Sequence, residues 1–110
     1  GTSDILTPTS SFDMERLCAI MIDNPELQIE FAVHTDNIGN PDAKIALSEL
    51  RAETLKYYLM SKGIDEMRII AKGFGGLKPL APNDTEENRV KNRRVEYLFK
   101  QAENAAVIDE

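Results

Sequence analysis

The chain has 110 residues, 42% of them apolar and 29% charged, with 13 basic against 19 acidic side chains for a net charge of -6. That length and composition belong to one ordered domain with a single core, not to a disordered segment. The acidic balance excludes broad electrostatic attraction to nucleic acid or anionic lipid.

In chain order, Gly1-Thr2-Ser3 carries no methionine and no targeting signal, which leaves the location of the native protein open. Ser10 and Ser11, followed by Phe12, Leu17, Ile20 and Met21, predict a capped amphipathic helix that Asn24-Pro25 ends. Cys18, the single cysteine, allows no internal disulfide and reads as a small buried apolar residue. Leu27, Ile29, Phe31 and Val33 alternate with Gln28, Glu30 and Ala32, a half-buried strand. Asp42 to Lys62 reads as a second helix with Leu47, Leu50, Leu55, Tyr58 and Leu59 on its apolar face, and Gly63 as its left-handed C-terminal residue. Met67 to Lys72 reads as a short strand, with Gly73, Gly75 and Gly76 breaking it into a loop of about 20 residues, too long for idle filler. Arg93 to Lys100 forms the last strand, and residues 101–110 a tail without periodicity. No apolar run approaches the roughly 20 residues of a membrane-spanning helix.

A strand, a helix and a second strand favour parallel pairing with a crossover. The fold class expected is therefore α/β (α+β) in two layers, with helices on one face of a small mixed sheet.

The segment His34-Thr35-Asp36-Asn37-Ile38-Gly39 leaves the first predicted strand, where ligands sit in open α/β folds. Arg51 follows fifteen residues after Asp36 on the crossover helix. Asp36 and Arg51 can flank one cleft, the first taking an ammonium and the second a carboxylate, as a zwitterion would require. They can equally form a structural ion pair holding loop to helix. Arg89-Val90-Lys91-Asn92-Arg93-Arg94 places four cations in six residues, either a solvated strand entrance or a patch for an anionic ligand.

The ordered set HTDNIG, Leu47-Ser48-Glu49-Leu50-Arg51-Ala52, Gly63-Ile64, Arg68-Ile69, Gly73-Phe74-Gly75, Pro79, Asn83-Asp84-Thr85 and Asn92-Arg93-Arg94-Val95-Glu96 resembles a known family. The family it resembles is the peptidoglycan-binding domain shared by the C-terminal part of outer membrane protein A, the peptidoglycan-associated lipoprotein and the flagellar stator protein. The resemblance covers about residues 2–100 and implies a βαβαββ-type domain over 1–100. It implies noncatalytic binding of peptidoglycan through the meso-diaminopimelate of the stem peptide, without cofactor. It places the chain in the periplasm at the Gram-negative outer membrane, in a membrane-associated protein that anchors membrane to wall. Asp36 and Arg51 match the family's principal ligands, with secondary polar contacts from Thr35, Asn37 and the main chain of Ile38 and Gly39. Arg93 is a weaker candidate to face cell-wall carboxylates, and Arg94 is expected to pair with an acidic neighbour.

The chain departs from the family pattern at Val33, where many members have glycine, and at Lys44, where they usually have an asparagine that helps hold the ligand. Asn88 stands for a usual glycine, a mild change. The family also opens with a strand before the loop matching Thr2 to Leu6. The chain starting at that loop predicts a three-stranded sheet whose open edge invites a second copy, as a homodimer or a strand-swapped assembly that would follow from the missing strand and not from the native protein.

Catalysis is disfavoured by residue type. His34 and Asp36 lack a third partner, Gly73-Phe74-Gly75-Gly76 lacks the Lys-Ser/Thr pair of a phosphate loop, and one histidine cannot build a zinc site. His34 is expected to hydrogen-bond locally. The remaining alternative is a protein-interaction module of the same fold that has lost wall binding, which Val33 and Lys44 leave open.

Overall fold

The computed structural model describes residues 3–6 and 11–101. The order is β1 (Ser3–Leu6), α1 (Ser11–Asp23), β2 (Leu27–His34), α2 (Pro41–Ser61), a 3₁₀ turn at Glu66–Arg68, β3 (Ile69–Gly75), α3 (Glu86–Asn92) and β4 (Arg94–Gln101). The strands form one mixed sheet in the order β1-β4-β2-β3, with β2 parallel to β3 and antiparallel to β4.

Ile29, Phe31 and Val33 point to one face of β2 and are buried with Met14, Leu17, Cys18 and Met21 of α1 and Ala52 and Leu59 of α2. The alternation of LQIEFAV thus separates a helix-covered face from a polar one, where Glu30 pairs with Lys72 and Lys100. Asn40 caps α2 by accepting from the Ala43 amide at 3.0 Å, and Pro41 occupies the first helical position. At the other end Gly63, at φ 98°, lets its amide reach Met60 O and that of Ile64 reach Leu59 O. Buried Leu59 and Ile64 complete this Schellman motif.

Four expectations are corrected. The first strand is present: Ser3–Leu6 pairs antiparallel with Leu98 to Val95 of β4. The sheet has four strands, β4 is flanked on both sides, and the edge strands are β1 and β3.

The core face of α2 is Ser48, Ala52, Leu55 and Leu59, while Leu47 and Leu50 face solvent. Small residues are required there because α2 lies almost on the main chain of β3. A Cβ on Gly73 would stand 2.3 Å from Glu49 N and 2.4 Å from Ser48 C. The same closeness explains why β3 continues through Gly73 and Gly75 instead of breaking at them. The Gly75 amide donates to the buried Ser48 hydroxyl at 2.8 Å.

The long loop contains α3, capped by Thr85, whose hydroxyl accepts from the Asn88 amide, with Glu86 and Glu87 in its first turn and Arg89 and Lys91 in its last. Gln101 closes β4, and the rest of the expected tail, 102–110, lies outside the described residues.

Candidate functional site

The carboxyl ends of β2 and β3 and the amino end of β4 meet at one end of the sheet, and the residues singled out from the sequence gather there. Asp36 is buried just beyond β2. Its Oδ1 accepts from the Ile38 amide at 3.0 Å and from Lys44 Nζ at 2.9 Å, and its Oδ2 accepts from Arg93 Nε at 2.7 Å. The hydrogen bond from Lys44, with those from Arg93 and the Ile38 amide, outweighs burial and holds this carboxyl well below the usual range.

The guanidinium of Arg93 reaches in two directions. Its two terminal nitrogens grip Glu86 of α3 as a fork, Nη1 on Oε2 at 2.8 Å and Nη2 on Oε1 at 3.0 Å. Arg93 is thereby shared between a buried aspartate and an exposed glutamate.

Next to Arg93 in the chain is Asn92, a fully buried side chain that sequence reasoning quoted without a role. Its Oδ1 accepts from the Leu80 and Ala81 amides at 2.7 and 3.0 Å. Its Nδ2 donates to Ala81 O and to Asn83 Oδ1, both at 2.9 Å. One amide thus pins the loop before α3 to the end of that helix. The signal available in sequence was an asparagine between cations at a strand entrance.

Arg51 does not pair with Asp36. It is exposed on α2 and makes no ion pair with any described residue. It lines a cavity of about 450 Å³ with Val33, His34, Thr54, Leu55, Arg93, Arg94 and Val95. The three guanidiniums around this cavity differ. Arg94 is buried and engaged with Glu96 at 2.8 Å and with the carbonyls of Asn92 and Lys78, the acidic pairing expected of it. Arg93 is engaged with Asp36 and Glu86. Arg51 alone of the three has its donors available among the described residues.

The other loop positions divide in two. Thr35 is buried, donating its hydroxyl to Asp36 O and its amide to Gly75 O at 2.9 Å. With the Ile38 amide already on Asp36, these two groups shape the loop. Asn37 and Gly39 are exposed, and Gly39 turns the chain at φ 102°. Gly76 lets the following loop press in, since a Cβ there would meet Asp36 O at 2.7 Å.

His34 departs from expectation. It is buried, its ring stacks on Phe74 at 5.4 Å, and Lys78 lies over the other partner of that stack, 4.2 Å from the Phe74 centroid. Its Nε2 stands 3.4 Å from Glu96 Oε1 without hydrogen-bond geometry, and Nδ1 has no partner among the described residues. Burial, with the charge of Arg94, lowers its pKa against the opposing pull of Glu96. No group of three or more His, Cys, Asp or Glu side chains among the described residues could hold a metal ion.

A model of the OmpA family matches residues 1–93. The chain is 42% identical over 93 residues to outer membrane porin F of Pseudomonas fluorescens, covering 84% of this chain and 28% of that one. It is 39% identical over 74 residues to the peptidoglycan-binding protein ArfA of Mycobacterium tuberculosis, covering 67% of this chain and 23% of that one. The C-terminal domain of Helicobacter pylori MotB superposes with a TM-score of 0.76 at 26% identity, covering 97% of this chain and 91% of that structure. The chain therefore spans less than a third of the length of these two curated relatives.

Proposed function

The chain belongs to the OmpA family, and from that premise we propose that it is a noncatalytic domain that binds peptidoglycan through the diaminopimelate of the stem peptide. The observation that carries this reading is Arg51, whose guanidinium has no ion-pair partner among the described residues and opens on a cavity walled by Val33, Leu55 and Val95. The apolar walls suit the methylene chain of a diamino acid, and the guanidinium suits its terminal carboxylate through two parallel hydrogen bonds. Arg93 joins this cavity to Asp36, the carboxylate assigned to the ligand ammonium. Asn37 and the main chain at Gly39 add polar contacts from the exposed side of the loop, while Thr35 and Ile38 fix its shape.

Such a site needs no bond-making step: recognition is charge pairing in a preformed pocket, and the role is attachment. Residues 1–100 form the binding domain in this reading. The likeness to an outer membrane porin and to a peptidoglycan-binding protein supports a place in the periplasm, on a membrane-associated protein tethered to the wall.

Sedimentation with purified sacculi tests the assignment. Arg51→Ala leaves every described hydrogen bond intact and should reduce co-sedimentation at least about tenfold, the scale of one lost charge-assisted pair. Retained binding by a folded Arg51→Ala protein refutes the site. Failure of the native chain to bind favours the interaction-module reading, for which Lys44 seated on Asp36 is the supporting observation.

A further inference from the structure

Resting on the reading of Asp36 and Arg51 as the two arms of the ligand site, we infer that Lys44 tunes its specificity: the lysine already sits on the aspartate arm, so a ligand ammonium gains Asp36 only by displacing it, and the site weighs the ligand carboxylate above the amino group. An ionised carboxylate offers about four acceptor positions on its two oxygens. On Asp36, three of them face donors supplied by the chain itself, from Lys44, the Ile38 amide and Arg93. The oxygen that carries the lysine also carries the backbone amide, so an arriving ammonium must displace Lys44 to reach Oδ1 and shares Oδ2 with Arg93.

Lys44 is well placed for this. It sits just inside the first turn of α2, behind the Asn40 cap and Pro41, and its side chain folds back over the 35–39 loop. Its stem passes 3.9 Å from the position a Cβ would take on Gly39. The side chain is 25% exposed, three-quarters of it packed against the protein. Exchange of Lys44 for a ligand ammonium replaces one ammonium-carboxylate contact with a chemically identical one, and the net gain is close to nil. A ligand carboxylate at Arg51 displaces nothing, because that guanidinium has no ion-pair partner among the described residues. Discrimination between the two ends of a zwitterion therefore follows from which arm is already filled.

The experiment compares meso-diaminopimelate with pimelate, the same dicarboxylate without amino groups, by calorimetric titration of the full chain and of Lys44→Asn, Lys44→Met and Lys44→Arg. The native chain and Lys44→Arg should bind the two within about threefold of each other. In Lys44→Asn and Lys44→Met the ratio should shift by about fivefold or more toward diaminopimelate, the scale of one freed ion-pair position. Lys44→Met keeps the aliphatic stem, so a shift shared by both neutral variants is a charge effect. If both leave the ratio unchanged while diaminopimelate still binds and Arg51→Ala abolishes it, Lys44 is a bystander and the two-armed site stands. A native chain that already prefers diaminopimelate strongly overturns the inference in the same way. If no variant binds either compound although all are folded, the two-armed site and the role of Lys44 fall together.

Discussion

Where β2 begins, the Arg68 guanidinium donates to three main-chain carbonyls, Leu27 O at 2.9 Å and Met21 O and Asn24 O at 2.7 Å each. Met21 lies in the last turn of α1, which has no basic residue of its own there, so Arg68 supplies the cation that the helix end favours and satisfies a carbonyl it leaves open. Where β2 ends, Arg51 lines a cavity and has no such partner among the described residues. The same side chain closes one end of the sheet and leaves the other receptive. The difference lies in whether the surrounding backbone offers acceptors, not in charge or in residue type. A guanidinium ringed by carbonyls is a structural tie, and one walled by Val33, Leu55 and Val95 is an invitation.

Substitutions should separate the two ends in order of size. Arg68→Ala leaves three carbonyls without their donor and should cost about 3 kcal/mol in urea unfolding, the scale for losing several hydrogen bonds to a charged group. Wall binding by the fraction still folded should be unchanged. Asn92→Ala sits between the extremes: it orphans the Leu80 and Ala81 amides and should cost about 2 kcal/mol. It should also weaken binding, because the loop tied down by Asn92 leads into α3, whose Glu86 grips Arg93.

His34 offers a third comparison, through pH. Its folded pKa is lowered from 6.5, so the stability it contributes is complete above that value and declines as pH falls toward the folded one. His34→Gln should therefore flatten the loss of urea midpoint as pH falls below 6.5, relative to the native chain. An equal slope in both would mean that other groups carry it. The smallest expected change is the most telling: Arg51→Ala should alter stability by no more than about 0.5 kcal/mol, as for an exposed residue whose side chain bonds none of the described residues, while binding fails.

Legibility in the sequence followed the range of the physics. The alternation at Leu27 to Val33 and the glycine after α2 act over a few residues, and both read correctly. The inward face of α2 did not, because Ser48 and Ala52 are chosen for closeness to Gly73 and not for apolarity, so Leu47 and Leu50 misled. The short helix α3 carried a legible cap in Thr85 and matching end charges, but no apolar rhythm to draw the eye. At the site, Asp36 and Arg51 stood out through the family pattern. Lys44 was read only as a missing asparagine, since nothing local says that an ammonium eight positions on will turn back onto Asp36. The bond from Arg93 crosses 57 positions and depends on the whole sheet being assembled.

The central position of β2 has a mechanical consequence. It is hydrogen-bonded to β3 on one side and to β4 on the other along its length, and it runs straight into His34-Thr35-Asp36. A pull applied at the site along that strand loads two ladders in shear, so many hydrogen bonds must fail together instead of peeling one at a time. A strand at the edge, such as β3, would have a ladder on one side only. If the domain holds an envelope to its wall, tension meets the molecule along its strongest axis.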